Sequence, residues 1–215
     1  MLSDNKPIVT FSKLENWTEN ESINRVIFLI EENLKLFKQK YCIFKNETDL
    51  NQNFALCMNS RAKDELFGFS NEYKDIIKAI PHKVDFGIVP DGETDAFFVI
   101  EAKRLDTSLA KVREKEYIIG KIGGIERFKN QKHGGNLTHV GMIGYVQTDN
   151  FDTWFSKINS WIEEEIVDST SDDLIWEKRD KLKLNTQSKL FNTYLSQHQC
   201  KTKDISMYHI WIDLI

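Results

Sequence analysis

The sequence predicts an α/β (α+β) fold, a mixed central sheet flanked by helices. Three observations point to it. Stretches of helical period alternate with short β-rich stretches, and their order reads α-α-β-β-β-α-β-α-β-β, with an αβββαβ core inside. No Pro/Gly-rich linker, low-complexity tract or internal repeat divides the 215 residues. One domain is expected, with its core over about 46–147 and flanking elaborations over 1–45 and 148–215.

The elements follow in order. Thr18-x-x-Glu21 has the form of a capping box, and Ile23, Val26, Ile27, Ile30, Leu34 and Phe37 then mark one helical stripe. Asn46 is a good N-cap for a second helix with Leu50, Phe54, Cys57 and Met58 buried. Glu47, three residues before Leu50, shares the side of that buried face. Strands are expected over Leu66–Glu72, Lys83–Val89 and Phe97–Lys103. The Pro90-Asp91-Gly92 turn makes the last two an antiparallel pair. Asp106-Thr107-Ser108 caps a helix running towards Gly120, and a second helical stretch, Ile125–Lys132, stops at Gly134-Gly135. A buried strand over Thr138–Gln147 follows. Next come a helix with Trp154, Ile158, Trp161 and Ile162 on one face, then strands near Leu190–Gln197 and Ile205–Leu214.

Composition excludes several classes. No stretch approaches the roughly 20 apolar residues that span a bilayer, so no membrane is expected as a partner. Met1–Thr10 lacks the basic and apolar regions of a secretory signal. The three cysteines, Cys42, Cys57 and Cys200, are odd in number and widely spaced, which argues against disulfides and structural zinc. A reducing, cytoplasmic setting is expected. The net charge is −4, yet Lys103 to His133 carries nine Lys and Arg against four acids. A locally basic surface on an acidic chain can steer a polyanion.

The informative text is Lys83-Val-Asp-Phe-Gly-Ile-Val89 followed, after the turn, by Phe97-Phe-Val-Ile-Glu-Ala-Lys103. Strand alternation sends Glu101 and Lys103 to one face with Val99, and Phe98, Ile100 and Ala102 to the other. Charged groups at the end of an apolar strand are costly to bury without a purpose. If the two strands pair, Asp85 and Glu101 converge. Two such carboxylates form a hard-oxygen site suited to Mg²⁺ or Mn²⁺, and a lysine beside them can hold water or offset charge on a phosphoryl oxygen.

Asp85 with Glu101-Ala102-Lys103 sixteen residues later resembles the PD-(D/E)XK motif of the restriction-endonuclease-like nucleases. The inferred core order is similar to that superfamily's αβββαβ fold. The resemblance implies that Asp85 and Glu101 bind metal and that Lys103 assists the attacking water. Many members carry a further acid on the first core helix, for which Glu47 is best placed. Val84 stands where the motif's name has proline. The implied activity is Mg²⁺-dependent hydrolysis of phosphodiesters, in DNA rather than RNA. The implied setting is restriction or phage defence, with a homodimer or a partner protein as the expected assembly. The alternative is a nuclease-fold module that binds nucleic acid or a protein without cutting. Lys121, Arg127, Lys129 and Lys132, after the Glu-x-Lys strand, are the expected phosphate contacts.

Other signals are weaker. Gly120-Lys-Ile-Gly-Gly124 lacks the spacing of a phosphate loop. Glu72 is expected at a solvent-facing strand end and His133 at a helix C-terminus. The tryptophans are expected in the core, and His198 and His209 are expected to be structural.

Overall fold

Thr18 caps the first helix, α1 (Glu19–Tyr41), as its spacing requires. Glu21 N–H donates to the Thr18 hydroxyl, and Thr18 N–H donates to the Glu21 carboxylate at 2.7 Å. The structure, a computed structural model, describes residues 17–74, 82–109, 111–120, 124–168, 174–200 and 202–215. The second helix, α2 (Glu47–Arg61), starts at the Asn46 cap. Strands β1 (Phe67–Lys74), β2 (Lys83–Pro90) and β3 (Phe98–Leu105) follow. Two short helices, α3 (Lys111–Glu114) and α4 (Ile125–Lys129), lead to β4 (His139–Val146) and α5 (Phe151–Asp168). The chain closes with β5 (Lys183–Gln187), β6 (Phe191–Gln199) and β7 (Asp204–Asp213).

All seven strands form one mixed sheet in the order β1-β2-β3-β4-β7-β6-β5. β1, β2 and β3 are an antiparallel meander, β3, β4 and β7 run parallel, and β6 and β5 return antiparallel. The parallel centre is buried on both faces, as near-continuous apolar strands such as Val140–Val146 demand. The closing hairpin extends the same sheet, because β7 pairs with β4 along its length.

Two apolar layers cover the faces. On one, Phe37 of α1 and Phe54 of α2 meet edge to face at 5.4 Å, over Phe86, Phe98, Ile100 and Ala102. On the other, Trp154, Ile158 and Trp161 of α5 and Ile125 and Phe128 of α4 cover Val99, Leu105 and Met142. The strand alternation of β3 is therefore realised: Val99 and Leu105 lie under α4 and α5, and Phe98, Ile100 and Ala102 under α1 and α2.

Three expectations change. The helix expected from Asp106 to Gly120 is reduced to α3 and one 3-10 turn, Lys115–Tyr117. Asp106 accepts from Ser108 N–H at 2.9 Å and pairs with Arg104, while Glu126 N–H reaches Ile118 O and folds the chain back. The helix expected over Ile125–Lys132 ends at Lys129, and Gln131 takes a positive φ of 55°. β5 was not expected; each of its residues is exposed, so it lacks the alternation that betrays a strand.

Phe54 has no exposed surface and contacts Phe37, Phe69 and Phe86. Phe54→Ala is expected to cost about 3–5 kcal/mol, read as a lower denaturant midpoint at unchanged slope.

Candidate active site

The site begins where the β2–β3 ladder stops. Pairing runs from Ile88↔Phe98 to Phe86↔Ile100 and goes no further, although β2 continues beside β1 to Lys83. One more step of the same register would set Asp85 opposite Glu101. Instead the strands part, and the backbone groups on that edge of β3 need other partners. Side chains supply them. Ala102 N–H donates to Asp85 Oδ2 at 2.8 Å, and Arg104 N–H to Glu47 Oε2 at 3.3 Å. Ala102 C=O accepts from Lys103 Nζ at 2.9 Å.

The same groups meet one another. Lys103 Nζ lies 3.0 Å from Glu101 Oε1 and 3.2 Å from Glu47 Oε1. Glu101 and Lys103 are buried, and His133 Nε2 stands 3.7 Å behind Glu101 Oε2. Glu47 reaches the site because the chain ahead of α2 is pinned to the ends of β3 and β4. Gln147 accepts from Arg104 Nε at 2.6 Å and donates towards the carbonyls of Phe44 and Lys45 at 3.4 and 3.3 Å.

Glu47, Asp85, Glu101 and Lys103 line a cleft of about 380 Å³ with Thr48, Asn51, Asn71, Glu72, Lys83 and Arg127. Two buried atoms of its lining, Asn51 Oδ1 and Arg127 Nε, have no hydrogen-bond partner among the described residues. Natural proteins rarely leave such groups bare. Tyr145 Oη is also without a partner, and it feels the charges of Asp85 and Glu47.

One ammonium shared among three carboxyls explains the electrostatics. Burial pushes the Glu101 carboxyl up to about 8, and the Asp85 charge adds to this against the opposing Lys103. Burial also raises the pKa of Asp85, though Lys103 and the Ala102 N–H oppose it. At Lys103 burial favours the neutral amine, but Glu101, Glu47 and Asp85 outweigh it and raise the pKa above the ordinary value. Both partners of the Lys103–Glu101 pair thus shift upwards. The lysine gains from every acid, while each acid gets only part of one lysine. In this arrangement Lys103 is a charged donor and not a base.

The donor set fits a hard divalent cation. Asp85 and Glu101 offer carboxylate oxygens, Mg²⁺ needs only one or two carboxylates besides water, and the bare Asn51 carbonyl oxygen is a further acceptor in the cleft. Among the described residues no three His, Cys, Asp or Glu side chains form a ready-made metal cage. Lys103 Nζ lies between Glu47 and Glu101, so those two do not close on a common point without it.

Of the residues named from sequence, Asp85, Glu101, Lys103 and Glu47 come together, and Arg127 joins them in the cleft wall. Lys132 is exposed beside a smaller neighbouring hollow that includes His133. Lys121 lies outside the described residues. Lys129 is a correction. It has no exposed surface, and its ammonium is buried 2.7 Å from Asp180, so it is not a surface phosphate contact. The clustered charge of this segment did not distinguish inward from outward lysines. His133 is likewise buried against Glu101 and not at a helix end. Glu72 reaches the cleft rim in a left-handed conformation (φ 56°), paired with Lys83. Asn51 was missed; its position four residues after Glu47, on the same helix face, was the available signal.

Two outcomes follow for stability. Asp85→Asn keeps an acceptor for Ala102 N–H and should melt near the parent, whereas Asp85→Ala should lose about 1–3 kcal/mol in chemical denaturation. Glu101, whose ordinary pKa is 4.5, keeps its proton in the folded chain up to about 8. Between those values the unfolded chain has released the proton and the folded chain has not, so stability falls as pH rises through the window. Glu101→Gln cannot ionise, and its melting temperature should gain on the parent's as pH is raised from about 5 to about 9. In comparison with known proteins, the chain matches no family model, no curated protein and no solved structure.

Proposed function

We propose that this chain is a metal-dependent nuclease of the PD-(D/E)XK type, cutting phosphodiester bonds of DNA with Mg²⁺ or Mn²⁺. One observation carries the reading. Asp85 and Glu101, from neighbouring strands, enter a single cleft in which the Lys103 ammonium lies 3.0 Å from Glu101. The element order α2-β1-β2-β3, short helices, β4 supports a restriction-endonuclease-like core, with α1 and β5–β7 as elaborations.

Asp85 and Glu101 would hold the cation, with Glu47 as the third acid within reach. The cation, when bound, polarises the scissile phosphate and acidifies its bound water. The protein's own groups do the rest. Glu101 must release its proton to become a ligand, so cation affinity rises with pH towards its raised pKa. Lys103, kept cationic by three acids, donates to a phosphoryl oxygen or to the attacking water and offsets the charge that builds there. Arg127, with Nε bare at the cleft wall, supplies a second cationic fork for a backbone phosphate. Burial of Glu101 and Lys103 keeps competing water from these contacts and strengthens them.

The test is digestion of plasmid and single-stranded DNA with Mg²⁺ and with a chelator. Metal-dependent cutting is expected, and Glu101→Ala and Lys103→Ala should each lower its rate by roughly a hundredfold or more. Cutting that persists at the parental rate in both variants would overturn the assignment. So would a parent that cuts neither substrate with Mg²⁺ or Mn²⁺.

A further inference from the structure

A second polar cluster lies in the core between α4 and the closing strands. It is a continuous chain of hydrogen bonds. Trp211 Nε1–H donates to Tyr117 Oη at 2.9 Å, and Tyr117 Oη meets His209 Nδ1 at 2.8 Å. His209 Nε2 meets Ser196 Oγ at 2.7 Å, Ser196 Oγ meets His198 Nε2 at 2.6 Å, and His198 Nδ1 meets Asp180 Oδ1. Lys129 Nζ donates to the same Asp180 oxygen at 2.7 Å, and Glu177 N–H donates to the other at 2.6 Å.

The chain has one polarity. A carboxylate only accepts, so with both imidazoles neutral every proton along the chain is assigned. Tyr117 donates to His209, His209 donates from Nε2 to Ser196, Ser196 donates to His198, and His198 donates from Nδ1 to Asp180. Burial holds both imidazoles below their ordinary pKa, in keeping with neutral rings. Ser196, His198 and Asp180 stand in the order of a hydrolytic triad. However, Ser196 is 3% exposed and His198 and Asp180 not at all, and neither described cleft includes them. No acyl group can reach that hydroxyl. The cluster is an anchor, and what it anchors is Lys129.

An ammonium removed from water is costly unless paired, so Lys129 has one low-energy position. Burial lowers its pKa, but at Asp180 the bonds from His198 and Lys129 outweigh burial and hold the carboxyl below its ordinary value. That position fixes the rotation of α4, which has only five residues. At 3.6 residues per turn, Arg127 lies about 200° round the helix from Lys129. With Lys129 turned into the core beside Ile125 and Phe128, Arg127 is turned the other way, where it lines the carboxylate cleft. The end of α4 is held too: Arg127 C=O accepts from Lys132 N–H at 2.9 Å and His133 N–H at 3.3 Å.

We infer that Lys129, through its buried ion pair with Asp180, is a positioning residue that turns the Arg127 guanidinium towards Glu47, Asp85 and Glu101. The consequence for phosphate binding rests on the nuclease reading; the placement of Arg127 does not.

Two readouts separate the two ideas. The first is the Arg127 Nε–H resonance of the ¹⁵N-arginine-labelled full chain; this atom is buried, and slow exchange with solvent is the expected parental result. Lys129→Met should abolish its protection, and Lys129→Gln, which keeps an N–H donor for Asp180, should restore part of it. The second is cleavage kinetics in a double-mutant cycle. Lys129→Met should cost roughly tenfold or more in cutting rate, and nothing further when Arg127 is already alanine. If Lys129→Met does not fold, Asp180→Asn, which keeps the acceptor for His198 and removes the charge opposite Lys129, makes the same test. A variant that melts lower yet keeps the Arg127 signal overturns the inference, as does a strictly additive cycle. A parent without nuclease activity whose Arg127 signal still follows Lys129 overturns the nuclease reading and leaves the positioning role standing.

Discussion

The fork between β2 and β3 is the constraint on which the site depends. Had the ladder continued past Phe86↔Ile100, the N–H and C=O of Ala102 would have faced Val84 of β2 and the N–H of Arg104 the residue just before β2. Because it stops, Asp85, Lys103 and Glu47 satisfy them. A backbone requirement thus gathers two acids and an ammonium at one place, with no need for those side chains to attract each other. The geometry is set by the covalent spacing of the strand edge. Two N–H groups two residues apart bring two carboxylates, from different elements, to neighbouring positions. Glu101 then enters the same cleft, with the Lys103 ammonium between it and Glu47.

Once gathered, these groups are frustrated. Burial makes the Asp85 and Glu101 carboxyls hold their protons, and the ammonium beside Glu101 is shared with Glu47. A purely structural cluster would do better with fewer acids or with more donors. On the proposed reading, the acceptor capacity of these acids, together with the bare Asn51 oxygen in the same lining, would be complemented by a cation. For Glu101 to act as a ligand it would have to give up the proton that burial retains.

Much of this was legible in the sequence, and the reasons are local. Strand alternation put Glu101 and Lys103 on the Val99 face, and the Pro90-Asp91-Gly92 turn brought Asp85 beside them. Period and capping residues marked α1 and α2, so Glu47 could be placed at a helix start. What was not legible depends on contacts between distant residues. Lys129 has the same neighbours in sequence as a solvated lysine; Asp180, 51 residues on, and the Trp176 ring, 4.7 Å from its ammonium, make it a buried one. β5 is exposed on both faces, so burial leaves no pattern in it. The helix after Asp106 was expected to be long because its residues permit helix. The bond from Glu126 N–H to Ile118 O, between residues eight apart, folds the chain back instead.

The closing strands change meaning in this light. β6 and β7 read from sequence as a hairpin that extends the sheet, and by pairing they are that. They also carry Ser196, His198 and His209, which lead from Tyr117 and Trp211 to Asp180 and hold its carboxylate for Lys129. A sheet of the first four strands alone could position Asp85, Glu101 and Lys103, since these depend only on β2, β3 and the start of α2. It could not fix α4, whose apolar contacts, Ile125 and Phe128, tolerate rotation far better than a buried charge does. The carboxylates are therefore set by the edge of β3, and the guanidinium opposite them is set from β6 and β7, beyond β4 on the same face of the sheet. Two sets of contacts, far apart in sequence, converge on one cleft.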